Sequence, residues 1–191
     1  MPQGRPPGAA EPAIDDRRGL KIFRAIDVAF ERDGAALVIP FSLALEAGGD
    51  AEITQPNPRA ASVAARICAA IVRPTHGVAY VGDFETRLQP PQAKRMVGFV
   101  DRAGFSGDDH ALRCEVAFRA EVWNLDKSAA QARAALVLEA LGKSAYARAI
   151  ALALVADVAL VVLDQPGPNV ARSVRDIAPH AAIIATVASS S

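Results

Sequence analysis

The sequence predicts an α/β protein: a three-layer core of alternating strands and helices, with antiparallel strands at its start and a helical insertion in its middle. Three observations carry this. Val158–Leu163 (VALVVL) and Ala181–Val187 (AAIIATV) are unbroken apolar runs, as in strands covered on both faces of a parallel sheet. Leu20–Phe30 (LKIFRAIDVAF) and Leu37–Leu45 (LVIPFSLAL) alternate apolar with polar residues, and Asp33-Gly34 between them supplies a turn. The stretch from about Asp109 to Ala156 reads mostly as helix, with a break near Gly142.

The remaining elements follow in order. Residues 1–15 are rich in Pro and Gly and are expected to form a disordered tail, leaving 16–191 as a single domain. Gly48-Gly49-Asp50 is a turn, followed by a short strand over Ala51–Thr54. A helix is expected from Arg59 to Val72, because Val63, Ile67, Ala70 and Ile71 fall at helical spacing. Pro74–Gly77 turns the chain into a strand over Val78–Val81, and Val97–Val100 (VGFV) is another short buried strand. The longest oily run, Ala149–Leu163, has 15 residues and contains Asp157. A bilayer span needs about 20 apolar residues, so the run is read as a helix, a turn at Asp157 and a strand. Val170–Ile177 is the last helix expected, and there is no internal repeat.

Composition narrows the function. The chain has 191 residues, of which 51% are apolar and 22% charged, so it is long and oily enough for a proper core. Forty-one residues are Ala; without them the larger apolar types fall to roughly 30%, and the helices are expected to pack closely. Lys and Arg number 21, as do Asp and Glu, so the basic excess of a nucleic-acid binder is missing. Two cysteines, Cys68 and Cys114, are too few for a disulfide scaffold or a four-thiolate zinc site and fit a reducing compartment. Met1–Pro12 lacks the apolar stretch of a signal peptide. The expectation is a cytoplasmic protein that does not enter the membrane itself.

Four segments, in order, resemble one family. Ile53–Val63 reads ITQPNPRAASV, similar to a phosphate loop of the form I-x-G-P-N-G-x-G-K-S-T. Ile71–Gly82 (IVRPTHGVAYVG) is similar to a stretch R-P-T-S-G-x-V after the first helix. Val97–Arg102 (VGFVDR) resembles a strand that ends in a glutamine loop, and Leu160–Pro166 (LVVLDQP) a Walker B strand ending L-D-E-P. The set resembles the ATP-binding subunit of ABC transporters over about Leu20 to Val187. The resemblance implies a P-loop NTPase-like core with a shortened helical insertion at about 103–156. It also implies two subunits sandwiching ATP, each site using one chain's phosphate loop and the other's signature sequence.

The departures from the pattern decide the expected chemistry. A phosphate loop works because glycines let successive backbone N–H groups curl around a phosphate while a lysine reaches it. Here the glycine positions hold Gln55, Pro58 and Ala60, and the lysine position holds Ala61. Pro58 has no N–H to offer. Asn57 and Pro58 read instead as the N-cap and first residue of an ordinary helix, whose N-terminus, with Arg59, would attract anions weakly. Ser62 keeps the magnesium-ligand position. Asp164 keeps the Walker B position, where it would hold magnesium through water, or serve as a helix cap or surface carboxylate. Gln165 stands where the resemblance implies the general base, and an amide cannot accept a proton from water. Arg102 replaces the loop glutamine, Val187 stands at the switch-histidine position, and Leu141–Ala145 (LGKSA) stands for the signature. Phe30 is either the adenine-stacking aromatic or a core strand residue.

No catalytic residue is therefore expected. Asn57, Ser62, Asp164, Gln165 and Phe30 form a vestigial nucleotide site, with Ser62 and Asp164 its magnesium positions; no cofactor is expected, or ATP and magnesium only weakly. The expected role is an inactive accessory or regulatory subunit, peripheral to the membrane through a transmembrane permease subunit or another ATP-binding subunit, with no nucleic-acid partner. The alternatives are a weak ATP-hydrolysing transporter subunit and a protein-interaction module unrelated to transport. Elsewhere, Gly142-Lys143-Ser144 spells the end of a Walker A motif but follows a helix and not a strand. Asp108, Asp109, His110 and Cys114 lie close, as ligands or, more simply, as a helix cap with its neighbours. His76 and His180 have no evident partner, Trp123 reads as helix core, and Arg133, Lys143 and Arg148 as a solvated face.

Overall fold

The computed structural model describes residues 21–189, so the tail expected over 1–15 lies outside the described residues. Strands β1 (Lys21–Arg32) and β2 (Ala35–Glu46) pair antiparallel around Asp33 and Gly34. Both turn residues are left-handed, with φ 54° and 74°, which matches the twist of a two-residue hairpin. The chain then forms β3 (Asp50–Gln55), helix α1 (Pro58–Cys68), β4 (His76–Val81), β5 (Phe84–Glu85), α2 (Pro90–Arg95) and β6 (Val97–Val100). A helical segment follows: α3 (Asp109–Val122), α4 (Lys127–Leu141) and α5 (Ala145–Ala153). The last elements are β7 (Leu160–Asp164), α6 (Val170–Ile177) and β8 (Ala182–Ala188). They make two sheets, one of order β2-β1-β4-β5 and antiparallel, the other of order β3-β8-β7-β6 and parallel. The predicted architecture is the one observed.

Helix α1 lies between the sheets, against β2, β3, β7 and β8. Four of its seven buried residues are alanines, which lets both sheets approach its backbone. It ends four residues short of the predicted Val72. Ala70 turns left-handed at φ 57°, the N–H groups of Ile71 and Val72 both donate to the Arg66 carbonyl, and Ile71 is left 48% exposed.

Two clusters of buried side chains share the parallel sheet. Leu160, Val162, Ala182 and Ile184 face α1 and the antiparallel sheet; Val161, Leu163, Ala181 and Ile183 face the helical segment. The alternation is that of a strand buried on both faces. Gly98 in β6 serves the second cluster: a Cβ there would lie 2.5 Å from the Ala153 carbonyl oxygen, so glycine lets α5 dock closely.

The expected helix over 109–156 is broken twice. Beyond the predicted break at Gly142, α3 stops at Val122, Asn124 is left-handed at φ 54°, and Asp126 caps α4. Trp123 is consequently the C-cap of α3 and not helix core; it is half-buried with the Arg95 guanidinium 5.8 Å above its ring. Helix α2 and the short β5 were not expected.

Candidate functional site

The parallel strands β3, β6 and β7 all end on one side of the sheet, the side where ligands bind in open α/β folds. At the end of β3, Gln55 is 1% exposed. Its side-chain oxygen accepts from the Ile39 N–H at 3.0 Å and its amide donates to the Ile39 carbonyl at 3.4 Å. The residue at a phosphate-loop glycine position is thus a clasp that continues β2's backbone pairing and ties the two sheets together.

The chain enters α1 as an ordinary helix. Asn57 is extended, and its Oδ1 accepts from the Ala60 N–H at 2.9 Å; the Asn57 carbonyl accepts from the Ala61 N–H at 3.0 Å. Pro58 occupies the first turn, where its missing N–H costs nothing. Of the amides that a cradle would aim outward, Pro58 has none, and those of Ala60 and Ala61 are already committed.

Opposite this start, Asp164 closes β7 with no exposed surface, so it is neither helix cap nor surface carboxylate. Ser62, on α1, donates its hydroxyl to Asp164 Oδ1 at 3.0 Å. Gln165 is left-handed at φ 48°, which folds its side chain back over the pair. Its amide nitrogen lies 3.0 Å from the Pro58 carbonyl oxygen, 3.0 Å from Ser62 Oγ and 3.2 Å from Asp164 Oδ1. Ser62, Asp164 and Gln165 therefore meet in one cluster with the helix start.

This cluster does not fit magnesium-bound ATP. Magnesium demands an octahedron of oxygens, usually with waters and phosphates completing it. Here a hydrogen-bond donor, the Gln165 amide, already uses the serine oxygen and one of the two carboxylate oxygens that the ion would need, and Pro58 interrupts the row of amides that the phosphates would need. Asp164 Oδ2 remains buried without a partner, and the Tyr146 hydroxyl is buried and unpartnered too. Burial pushes the Tyr146 phenol above its ordinary range, and the charges of Asp164 and Asp101 add to the shift.

A cavity of about 660 Å³ opens beside the cluster, walled by Phe30, Arg32, Arg59, Ser62, Arg66 and Arg102 among others. Phe30 packs partly buried on the first core cluster, as a core strand residue would, and also lines this cavity. Asp101, also on the wall, pairs with Arg66 at 3.1 Å. Arg32, Arg66 and Asp101 were missed. For Arg66 a signal existed: Arg59, Ser62, Val63 and Arg66 fall at i, i+3, i+4 and i+7, one face of a helix.

The other candidates resolve into structure. Gly142 (φ 79°) ends α4, Ser144 caps α5 by accepting from the Ala147 N–H at 3.0 Å, and Lys143 pairs with Asp109 at 3.0 Å. The Gly-Lys-Ser run is therefore a break between helices. Asp108 caps α3, and Cys114 lies 3.7 Å from His110 on one face; among the described residues no three such groups meet as a metal site. His76 and His180, expected to stand alone, have partners in Glu31 at 3.4 Å and Asp157 at 2.8 Å.

No known sequence family matches the chain, and no curated protein does. Solved structures do. An ATP-binding subunit of an ABC transporter aligns with a TM-score of 0.69 and 12% identity, over 87% of this chain and 79% of that one. The fold is that of the ATP-binding subunits of ABC transporters. A putative ABC transporter ATP-binding protein from Pyrococcus furiosus gives 0.66 and 11%, over 88% and 92% of the two chains. The cbiO1 protein of Clostridium perfringens, part of the ABC transporter complex cbiONQ, gives 0.61 and 18%, over 87% and 78%. On this ABC ATP-binding fold, the plugged Ser62–Asp164 pair stands at the mouth of the parallel sheet. Among the described residues no helix is long and apolar enough to cross a membrane.

Proposed function

We propose that this chain is a non-hydrolysing counterpart of ABC transporter ATP-binding subunits, acting as an accessory or regulatory subunit of a membrane transport complex. The observation that carries the reading is the Gln165 amide, hydrogen-bonded at once to Pro58, Ser62 and Asp164 where an ATPase needs a base, a metal and an open loop. Loss of a general base alone typically costs about 10²–10⁴ in rate. The fold supports the second half of the reading, since its solved counterparts include a member of a transporter complex. The partner would be a transmembrane permease subunit or another ATP-binding subunit, holding this chain at the inner face of the membrane. The purified protein is expected to show no magnesium-dependent ATP hydrolysis above background, and to co-purify with a permease from its native membranes. A turnover that disappears in Asp164→Ala would overturn the catalytic half; failure to recover either a multi-span protein or another ATP-binding subunit would overturn the partner half.

A second reading, a weak ATP-binding subunit, is favoured by the shared cavity of Phe30 and Ser62. Calorimetry with Mg-ATP separates the two: a micromolar constant belongs to the second.

A further inference from the structure

The geometry points to a zinc site shared by two copies of this chain, each supplying His110 and Cys114 from one face of α3. Histidine nitrogen and cysteine sulfur are ligands that zinc prefers, and a closed site takes four of them in a tetrahedron. The two residues stand one turn apart on the helix, both exposed, with Cys114 Sγ 3.7 Å from His110 Nε2. Zinc–sulfur and zinc–nitrogen bonds of about 2.3 and 2.0 Å, at a tetrahedral angle, set their ligand atoms roughly 3.6 Å apart. The pair is therefore already spaced as a chelate. Without metal the contact is a weak hydrogen bond of the thiol; zinc takes the place of the thiol proton, which passes to water. The inference goes beyond the reading above and does not depend on the state of the Ser62–Asp164 cluster.

The same chain does not offer the other two ligands. The carboxylates around the pair are committed. Asp108 accepts from the Ala111 N–H at 2.8 Å, Asp109 holds Lys143 and Arg148, each at 3.0 Å, and Glu115 holds Arg119 at 2.9 Å. The remaining histidines and cysteine of the sequence are His76, His180 and Cys68. His76 and His180 lie elsewhere, paired with Glu31 and Asp157, and Cys68 is buried. A second copy carries the identical chelate. A two-fold axis through the metal then gives two sulfurs and two nitrogens, a complete set, by an isologous contact. The surface next to the pair suits this occupant. Phe118 and Val122 continue the row of His110 and Cys114 at further four-residue steps, and they are 62% and 57% exposed. Side-by-side approach of two α3 helices covers both against the same residues of the other copy, so apolar burial adds to the metal bonds.

The test uses the untagged full chain, kept reduced with a phosphine, because a histidine tag would itself bind zinc. Zinc at half the molar concentration of the chain is expected to double the mass seen by light scattering on a sizing column, and EDTA to reverse it. Cobalt in place of zinc should give the visible bands of a tetrahedral site and a thiolate charge-transfer band. Cys114→Ser and His110→Ala should each abolish the bands and the doubling, while His76→Ala changes neither. Phe118→Ser should keep the ligands but raise the dissociation constant of the dimer roughly tenfold. All four substituted side chains are exposed, and circular dichroism checks that the variants fold. A mass that stays at one chain under saturating zinc, one zinc bound per chain, or a dimer that persists in EDTA would overturn the inference. So would bands that survive both ligand substitutions, or a dimer indifferent to Phe118→Ser.

Discussion

At the level of single residues, Gln165 shows how one side chain closes a site. Its amide donates toward three acceptors, the Pro58 carbonyl, Ser62 Oγ and Asp164 Oδ1. Gln165→Glu restores the residue type of a catalytic base but removes these donations and sets a second carboxylate beside the buried Asp164. The variant is expected to lose about 1–3 kcal/mol of stability and to gain no ATP hydrolysis, because the helix start still lacks a cradle. Thermal denaturation and a phosphate-release assay check the two halves; a hydrolytic rate above the parent's would show that only the base had been missing. Asn57→Ala removes the cap of α1 and should cost about 1 kcal/mol. Much of this was legible in the sequence: Pro58, Ala61 and Gln165 each lack the chemistry that their positions require. The engagement of Gln55 with Ile39 was not, because it joins residues 16 apart through a side chain that mimics a strand, and no periodicity reports that.

Among the elements, strands buried on both faces and capped helices were readable, while breaks within the helical segment were not. The apolar runs at β7 and β8 announce a parallel sheet because every residue must be oily. The turn over Trp123–Asp126 has no Gly or Pro and hides inside a helical composition; its only local sign is Asn124 followed by Asp126. The caps of these helices also set an acid limit. Backbone hydrogen bonds from Ala111 hold Asp108 below the ordinary carboxylate range; hydrogen bonds from Lys143 and Arg148 do so for Asp109, and those of Ser128 and Ala129 for Asp126. A carboxyl depressed in the folded state contributes stability that is present above its unfolded value, near 3.9, and is lost as pH falls below that through the folded value. Stability should therefore drop below about pH 4. Replacing Asp108 and Asp126 by Ser, which caps without ionising, should flatten that drop in far-UV circular dichroism melts. An unchanged acid profile would place the sensitive groups elsewhere.

For the whole molecule, the question is whether the sheets and the helical segment form one cooperative unit, as the sequence suggests for 16–191. The two core clusters are not separate bodies, since β7 sends Leu160 and Val162 into one and Val161 and Leu163 into the other. A fault in that strand damages both. Leu163→Ala, at a fully buried site, is expected to cost about 2–5 kcal/mol. Each cluster also carries its own reporter. Cys68, at the end of α1, is wholly buried in the first, and burial pushes its thiol far above the ordinary range, so it should resist labelling until its cluster opens. Trp123 sits at the end of α3, against the helical segment. In a Cys114→Ser background, which removes the exposed thiol, the urea midpoints from Cys68 labelling and from Trp123 fluorescence should coincide, and Leu163→Ala should lower both equally. Separation of the curves, with fluorescence changing first, would mean that the helical segment melts by itself and that β7 does not bind the two halves into one transition.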